Sequence, residues 1–477
     1  MTVPAIHFGT SGWRAIIADE FTFANVRLAV SAIAGHVASL ASEPAALVAC
    51  DPRFLSEDYS RLAADVLSQQ GVKVFLCDTF APTPAVAFEV LRRKLTGAIN
   101  FTASHNLAPY HGLKFNSADG GPALPEVTKD IEARIGRLAA RGDRPAARRG
   151  KAGKPGNIEV ISIRKPYLER LNALVKFDKI RDSKFKFICD AVHGCGAGYL
   201  DESLRLHGAA VTELRANRDV LFDGGGPDVI EENLVPLRRT VLDSGAAAGL
   251  ATDGDADRFG IIDRDGAWIS PNHILALLYD YLVETRGWNM PAARSVATSH
   301  MLDAVARSHG QTVYQTPVGF KYVGDLIKQD KIALGGEESA GLSIRGHVPE
   351  KDGILACLLV AEMIAHRKQT LGEQIQSLFG RIGAEFWPLR QNLHLSEEVK
   401  SRAVKRLKED YKTFLGRRVR QLDRTDGAKF IFEDGSWVLL RPSGTEPLLR
   451  VYTEASSLKA STELSREAAG WIEKEEA

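Results

Sequence analysis

The stretch AAGLATDGDADRFGIID, Ala247–Asp263, runs from an apolar segment into three alternating aspartates and back into a second apolar segment. Short apolar runs bounded by turn residues read as buried strands, so the aspartates occupy a loop at a strand's carboxyl end. The same arrangement recurs twice: GAINF leads into TASHN at Thr102–Asn106, and KIAL leads into GGEES at Gly335–Ser339. Other such runs (AALVAC, VKVFLC, FKFICD, SVATS, TVYQT) alternate with helix-like patterns, which predicts βαβ units and largely parallel sheets. Ligands bind at the carboxyl ends of strands in sheets of this kind. Three polar loops in equivalent places therefore predict three similar α/β domains facing one cleft.

The chain has 477 residues, too many for a single core. RGDRPAARRGKAGKPGN, Arg141–Asn157, has no apolar period and reads as a connector, which places domains at 1–150 and 151–262. Further boundaries near Asp263 and Gly380 give a third domain at 263–380 and a fourth at 381–477. In the fourth, Glu397–Leu415 reads as helix and KFIFEDGSWVLLRP as a hairpin, an α+β composition. A net charge of +1 leaves no global basic surface for nucleic acid. Five cysteines, none in CxxC pairs, argue against disulfide or zinc frameworks and fit a reducing cytoplasm. The N-terminus lacks the pattern of an export signal, and ILACLLVAEMIA is too short to cross a bilayer, so no membrane partner is expected.

Asp253, Asp255 and Asp257 repel one another unless a cation lies among them, and hard oxygen ligands suit Mg²⁺. An acidic hairpin turn is the plain alternative. An EF-hand is rejected, because its sixth and twelfth positions would be Arg258 and Arg264. Arg258 beside such a metal could neutralise a phosphate oxygen. Ser104 lacks the flanking glycines of a hydrolase nucleophile elbow, since Thr102 and Asn106 stand there. Phosphorylated, it could donate its phosphoryl group, with His105 and Lys114 supplying positive charge or moving a proton; alone it reads as a turn serine. Glu337, Glu338 and Ser339, read as a glycine-rich turn, could grip sugar hydroxyls or form an exposed acidic turn. Lys321, in a glycine-flanked loop, could meet a phosphate or be solvated. In RPSGTEPLLRVY, the hydroxyls and backbone around Ser443, Gly444 and Thr445, with Arg441 and Arg450, read as an anion clamp. HGCGAGY, His193–Tyr199, is only a partial dinucleotide loop, with Tyr199 where the last glycine belongs.

Taken in order, FGTSGWRA, TASHN, DGDADR, GGEES and RPSGTEP resemble the α-D-phosphohexomutase family over nearly the whole chain. The resemblance implies four domains around a central cleft, the first three alike and the fourth smaller. It makes Ser104 the phosphoserine, with Mg²⁺ held by Asp253, Asp255, Asp257 and a phosphoserine oxygen. Arg14, His105, Lys114 and Arg258 would line the transfer site, Glu337 and Ser339 would bind sugar hydroxyls, and Arg441–Thr445 would hold the idle phosphate, assisted by Arg450. The implied activity converts hexose 1-phosphates to 6-phosphates through a hexose 1,6-bisphosphate. The GEES and GFKY segments resemble phosphoglucomutases most, with phosphomannomutase and phosphoglucosamine mutase as rivals. Where such rivals carry GH after the loop serine, Ala340 and Gly341 stand here, which leaves the proton donor open, with Lys321 a candidate. A non-catalytic sugar-phosphate binder and a metal-dependent phosphatase are the readings from other classes. Monomer and dimer both remain open.

Overall fold

A computed structural model describes residues 6–9, 12–140, 157–442 and 448–473. The chain forms two compact units: Met1–Pro271 with Gly324–Lys331 and Ser339–Leu371, and Asn272–Val323 with Ile332–Glu338 and Gly372–Ala477.

The first unit holds two mixed sheets. One contains β1 (Trp13–Ile16), β2 (Ala45–Cys50), β3 (Lys73–Cys77), β4 (Gly97–Phe101), β5 (Tyr110–Ser117) and β6 (Ile158–Ile161), in the order β1-β5-β4-β2-β3-β6. β4, β2, β3 and β6 run parallel, while β5 runs against them and pairs antiparallel with both β4 and β1. The other sheet contains β7 (Lys186–Asp190), β8 (Ala210–Leu214), β9 (Ala248–Thr252), β10 (Phe259–Asp263) and β11 (Trp268–Ile269), in the order β11-β10-β9-β7-β8. β4 and β9 are buried along their whole lengths, as their mostly apolar, non-alternating sequences fit for strands covered on both faces. The helix Phe23–Leu40 is long and apolar enough to cross a membrane. Its burial is that of a core helix, since Val26, Ala29, Val30, Ile33 and Val37 are covered and it packs against the helices Ser56–Gln69 and Pro125–Ala140. Thr22 caps it by accepting from the Asn25 amide at 3.2 Å.

In the second unit, β12 (Ala292–Ser295), β13 (Val313–Thr316) and β14 (Leu334–Glu337) pair in parallel. β15 (Gly341–Ile344) belongs to the first unit. The C-terminal segment folds as an antiparallel sheet of β16 (Trp387–His394), β17 (Thr413–Phe414), β18 (Arg417–Asp423), β19 (Ala428–Phe432), β20 (Trp437–Pro442) and β21 (Leu448–Ala455). Trp437, Ile431 and Leu439 of this sheet pack on Val296 and Ala297, just after β12.

Four sequence expectations change. The boundary set at 150 falls among residues outside the described set, and β6 beyond it pairs with β3, so the first sheet extends to Ile161. The strand read at SVATS is shifted: β12 ends at Ser295, and Thr298 turns back on it. Gly335 and Gly336 lie inside β14 and not on a turn; a Cβ on Gly335 would come within 2.4 Å of Val323, so glycine here permits close packing within the unit. The helix read over Glu397–Leu415 ends at Arg406, because Tyr411 and Phe414 turn inward onto Phe430 and Trp471.

Phe21 anchors the first domain's core, stacked on Trp13 at 4.5 Å and His111 at 4.9 Å and edge-on to Tyr59. Phe21→Ala should lower the urea unfolding free energy of this unit by about 3–5 kcal/mol. A loss under about 1 kcal/mol would mean the site collapses without a cavity.

Candidate active site

Each loop that carries chemistry in the first unit begins where a strand ends. β4 delivers Thr102, Ala103 and Ser104; β5, its antiparallel neighbour, places Lys114 opposite Asn100. Ser104 is buried with a left-handed backbone (φ 52°), uncommon for a residue with a Cβ. Its hydroxyl donates to Asp253 Oδ2 at 2.8 Å, and its oxygen lies 3.5 Å from His105 Nδ1. Gly112 lets β5 pass beneath this loop, since a Cβ there would stand 2.4 Å from the Thr102 carbonyl.

β9 delivers Asp253, Asp255 and Asp257, all fully buried, with candidate ligand oxygens within 4.8 Å of one another. Asp253 also accepts from the Arg258 amide at 3.0 Å. Lys114 Nζ bridges Asp255 at 2.5 Å and Asp257 at 2.8 Å, and Lys351 Nζ approaches Asp257 at 2.8 Å. The Thr83 hydroxyl donates to Asp255 Oδ2 at 2.5 Å and accepts from Asn100. The second oxygens of Asp255 and Asp257 are buried without a hydrogen-bond partner. Buried carboxylate oxygens seldom stay unpartnered, so two of them in an all-oxygen cluster fit a hard divalent cation such as Mg²⁺.

The electrostatics follow from burial set against these neighbours. Burial, reinforced by Asp255 and Asp257, holds Asp253 well above the usual carboxylate range. Burial pushes Asp257 the same way, but Lys114, Lys351 and Arg258 overcome it and hold that group well below. Lys114 is held above its ordinary value, as Asp255 and Asp257 outweigh its burial. His105 is driven well below its ordinary value by burial and by Arg258 and Arg14, so the imidazole is neutral. Arg14 on β1 donates to Asn106 Oδ1 at 2.6 Å, and Arg258 lies 3.8 Å from Asp228. Arg14, His105, Lys114, Arg258, Ser104 and the three aspartates are thus one cluster within this unit.

The sequence reading passed over four of its members: Thr83, Asn106, Glu350 and Lys351. The last two lie in PEKDG, Pro349–Gly353, whose signal is three successive charged residues with glycine just before an apolar helix. Asp352 caps that helix at the Leu355 amide, 2.8 Å away, and is held by Tyr167 and His347, each at 2.7 Å. A Cβ on Gly353 would meet the Arg258 carbonyl at 2.2 Å, so this turn presses directly on the aspartate loop.

The second unit carries the other predicted residues, apart from Ser339, which belongs to the first. Glu337, at the end of β14, accepts from the Gly319 amide at 2.7 Å; Glu338 accepts from Ser295 at 2.9 Å and Thr298 at 3.2 Å. Lys321 lies in the first turn of a helix, Phe320–Lys328, and not in a loop, with Nζ 5.3 Å from the Tyr322 ring. Arg441 and Arg450 are direct cross-strand partners on β20 and β21, and Arg441 pairs with Asp426 at 2.9 Å. Like charges directly opposite are unfavourable unless an anion joins them, as a clamp requires. Ser443, Gly444 and Thr445 lie outside the described residues.

Comparison with known proteins gives one pattern. Family profiles for phosphoglucomutase/phosphomannomutase match in order: alpha/beta/alpha domain I at 5–141, domain II at 165–266, domain III at 270–382 and the C-terminal domain at 392–470. The chain is 30% identical to a phosphoglucomutase/phosphomannomutase of Thermococcus kodakarensis, covering 94% of each. It is 32% identical to a phosphoglucosamine mutase of Streptomyces avermitilis, covering 95% of each. The crystal structure of a putative phosphomannomutase from Thermus thermophilus is similar with a TM-score of 0.85 and 31% identity, over 99% of this chain and 100% of that one.

Two measurements test the site. Mg²⁺ at about 100 times its dissociation constant should stabilise the chelator-treated protein by about 2.7 kcal/mol, and Asp255→Asn should reduce that gain to under about 1 kcal/mol. Equal gains in both proteins would place the ion elsewhere. Burial pushes Glu350 from 4.5 up to about 7, against the pull of Lys351 and Lys114. A raised carboxyl favours the folded state while protonated, so this contribution is complete below pH 4.5 and is lost as pH rises through about 7. Metal-free protein should therefore lose stability across that window, and Glu350→Gln should flatten the decline in urea titrations.

Proposed function

The chain belongs to the phosphoglucomutase/phosphomannomutase family, and from that premise we propose that it interconverts glucose 1-phosphate and glucose 6-phosphate through a phosphoserine at Ser104. The observation that carries this reading is the hydrogen bond from the Ser104 hydroxyl to Asp253, in a cluster where Lys114 bridges the other two aspartates.

In the proposed reaction, phosphoserine gives its phosphoryl group to the free hydroxyl of the hexose phosphate. The Oγ–P bond breaks, a new O–P bond forms, and the hydroxyl proton leaves to a base. The resulting 1,6-bisphosphate reverses its orientation and returns the other phosphoryl group to Ser104. That return requires the serine to lose its proton, and His105, whose Nδ1 lies 3.5 Å from the serine oxygen, is assigned to receive it. Lys114, Arg14 and Arg258 disperse the charge of the transferring oxygens, the main demand of phosphoryl transfer. Asp253, Asp255 and Asp257, with a phosphoserine oxygen, would hold Mg²⁺, which supplies further charge neutralisation when bound.

Glu337 and Ser339 are assigned to the sugar hydroxyls, and Arg441, Ser443, Gly444, Thr445 and Arg450 to the phosphate that is not reacting. Lys321 is assigned to the substrate's phosphate and is the candidate proton donor. Holding the distal phosphate in either orientation would supply the positioning that both half-reactions need. The Glu-Glu-Ser-Ala-Gly form of the sugar loop supports glucose. Mannose or glucosamine phosphate is the second reading, favoured by the names of the relatives in Thermus and Streptomyces. A cytoplasmic enzyme acting without nucleic acid or membrane partners completes the proposal.

Supplying glucose, mannose and glucosamine 1-phosphates separately, with Mg²⁺ and a trace of the matching bisphosphate, should give 6-phosphate fastest from glucose. Ser104→Ala should abolish turnover and remove one phosphoryl group from the intact mass. Release of free phosphate in place of isomer would sink the mutase reading, and preference for another sugar would overturn the glucose assignment.

A further inference from the structure

Arg53 stands outside every motif discussed above, yet its guanidinium is bound directly to the Ser104 loop. A guanidinium has five N–H donors in a rigid planar fork. Here all five are used. Nε donates to Asp51 Oδ2 at 3.1 Å; one terminal nitrogen donates to the carbonyls of Leu107 and Tyr110, each at 3.1 Å; the other donates to those of Ser104 at 2.6 Å and Asn106 at 2.5 Å. Four carbonyls of one seven-residue loop, that of Ser104 among them, thus converge on a single buried cation.

The support for this cation is equally specific. Asp51 is fully buried and holds the Arg53 amide at 3.1 Å as well as its side chain. The Phe222 ring lies 5.0 Å from the guanidinium carbon, and Arg218 donates to the Pro52 and Arg53 carbonyls at 2.9 and 3.0 Å. On its other side the Ser104 carbonyl meets the aspartate loop, where a Cβ on Gly254 would stand 2.7 Å away. Ser104 itself has a left-handed backbone, which a loop adopts only when its surroundings impose it.

We infer that Arg53 is the positioning residue for the phosphoryl-carrying serine: by gathering the carbonyls of Ser104, Asn106, Leu107 and Tyr110, its fork fixes the backbone that aims Ser104 Oγ at Asp253. Charge alone does not accomplish this, because a lysine presents one nitrogen and cannot span four carbonyls in a plane. The inference rests on the reading of Ser104 as phosphoryl carrier for its kinetic consequence, but its structural content stands without that reading.

The test uses the full chain with Arg53→Lys and Arg53→Gly, beside wild type and Ser104→Ala. Both Arg53 variants should lose about 100-fold in kcat, the scale of a roughly 1 Å misplacement, with KM changed less than about threefold. Tens of millimolar guanidinium chloride, but not ammonium chloride at equal ionic strength, should restore kcat of Arg53→Gly by about tenfold or more. Amide hydrogen exchange across residues 104–110 should quicken in both variants and slow again in Arg53→Gly with guanidinium alone. Arg53→Lys retaining kcat within about threefold, equal rescue by both salts, or unchanged exchange in the loop would each overturn the inference. If Arg53→Gly does not fold, Arg53→Lys decides by the same kinetic and exchange criteria. Wild type lacking both turnover and a phosphoryl group on Ser104 would instead overturn the mutase reading, and the exchange data would still judge Arg53.

Discussion

Asp253, Asp255 and Asp257 lie where water does not reach, with oxygens within 4.8 Å of one another. At that spacing two carboxylates repel by about 3 kcal/mol even at an effective dielectric constant of about 20. The loop can therefore close only where cations converge on it, and they come from separate parts of the chain. Lys114 arrives on β5, Lys351 on the turn before a buried helix, and Arg258 from the loop's own end. This convergence explains why an antiparallel strand is added to an otherwise parallel sheet: β5 returns beside β4 and sets Lys114 two residues from Asn116, which donates to Glu350 at 3.3 Å.

The order of the loops was legible from the sequence because strand, polar loop and strand alternate sharply in hydropathy. β2 and β4 coincide with the apolar runs AALVAC and GAINF, and β9 lies within AAGLAT. Ser104, Lys114 and the three aspartates, singled out by their motifs and by the family resemblance, are brought into one cluster by the fold. What stayed hidden depends on distance along the chain. Lys351 reaches Asp257 across nearly a hundred residues, and Thr83 reaches Asp255 across 172, and nothing local to either residue announces it. Gly335 and Gly336 misled for a different reason: glycine usually marks a turn, but within β14 it marks a strand packed too closely for a side chain.

Backbone contact joins the loops of the first unit as side-chain contact does. Gly254 lies against the Ser104 carbonyl, Gly353 against the Arg258 carbonyl, and the Gly353 amide donates to Ala256 at 3.1 Å. Close approach of this kind leaves no slack: a methyl group at Gly254 would push the serine and aspartate loops apart, and one at Gly353 would push its own turn off the aspartate loop. Rigid elements with locked backbones are the means by which a site keeps its reacting groups in register. Asp352 extends the same logic: capping a helix with one oxygen and binding Tyr167 and His347 with the other, it fixes the turn from which Lys351 reaches Asp257.

The proposed chemistry makes that rigidity consequential. With a free hydroxyl, Ser104 is a donor to Asp253, and the cluster is balanced by its own cations. Esterified, the same oxygen loses its proton and brings dianionic charge beside a carboxylate already disfavoured by burial and its neighbours. A loop free to move would relieve that repulsion by swinging the serine outward, away from the groups that stabilise transfer. Arg53 opposes such a swing because its five bonds hold the loop's carbonyls whichever form the hydroxyl takes. The added negative charge must then be met by Arg14, Lys114, Arg258 and a cation among the aspartates, which are the groups that also lower the barrier to passing the phosphoryl group on.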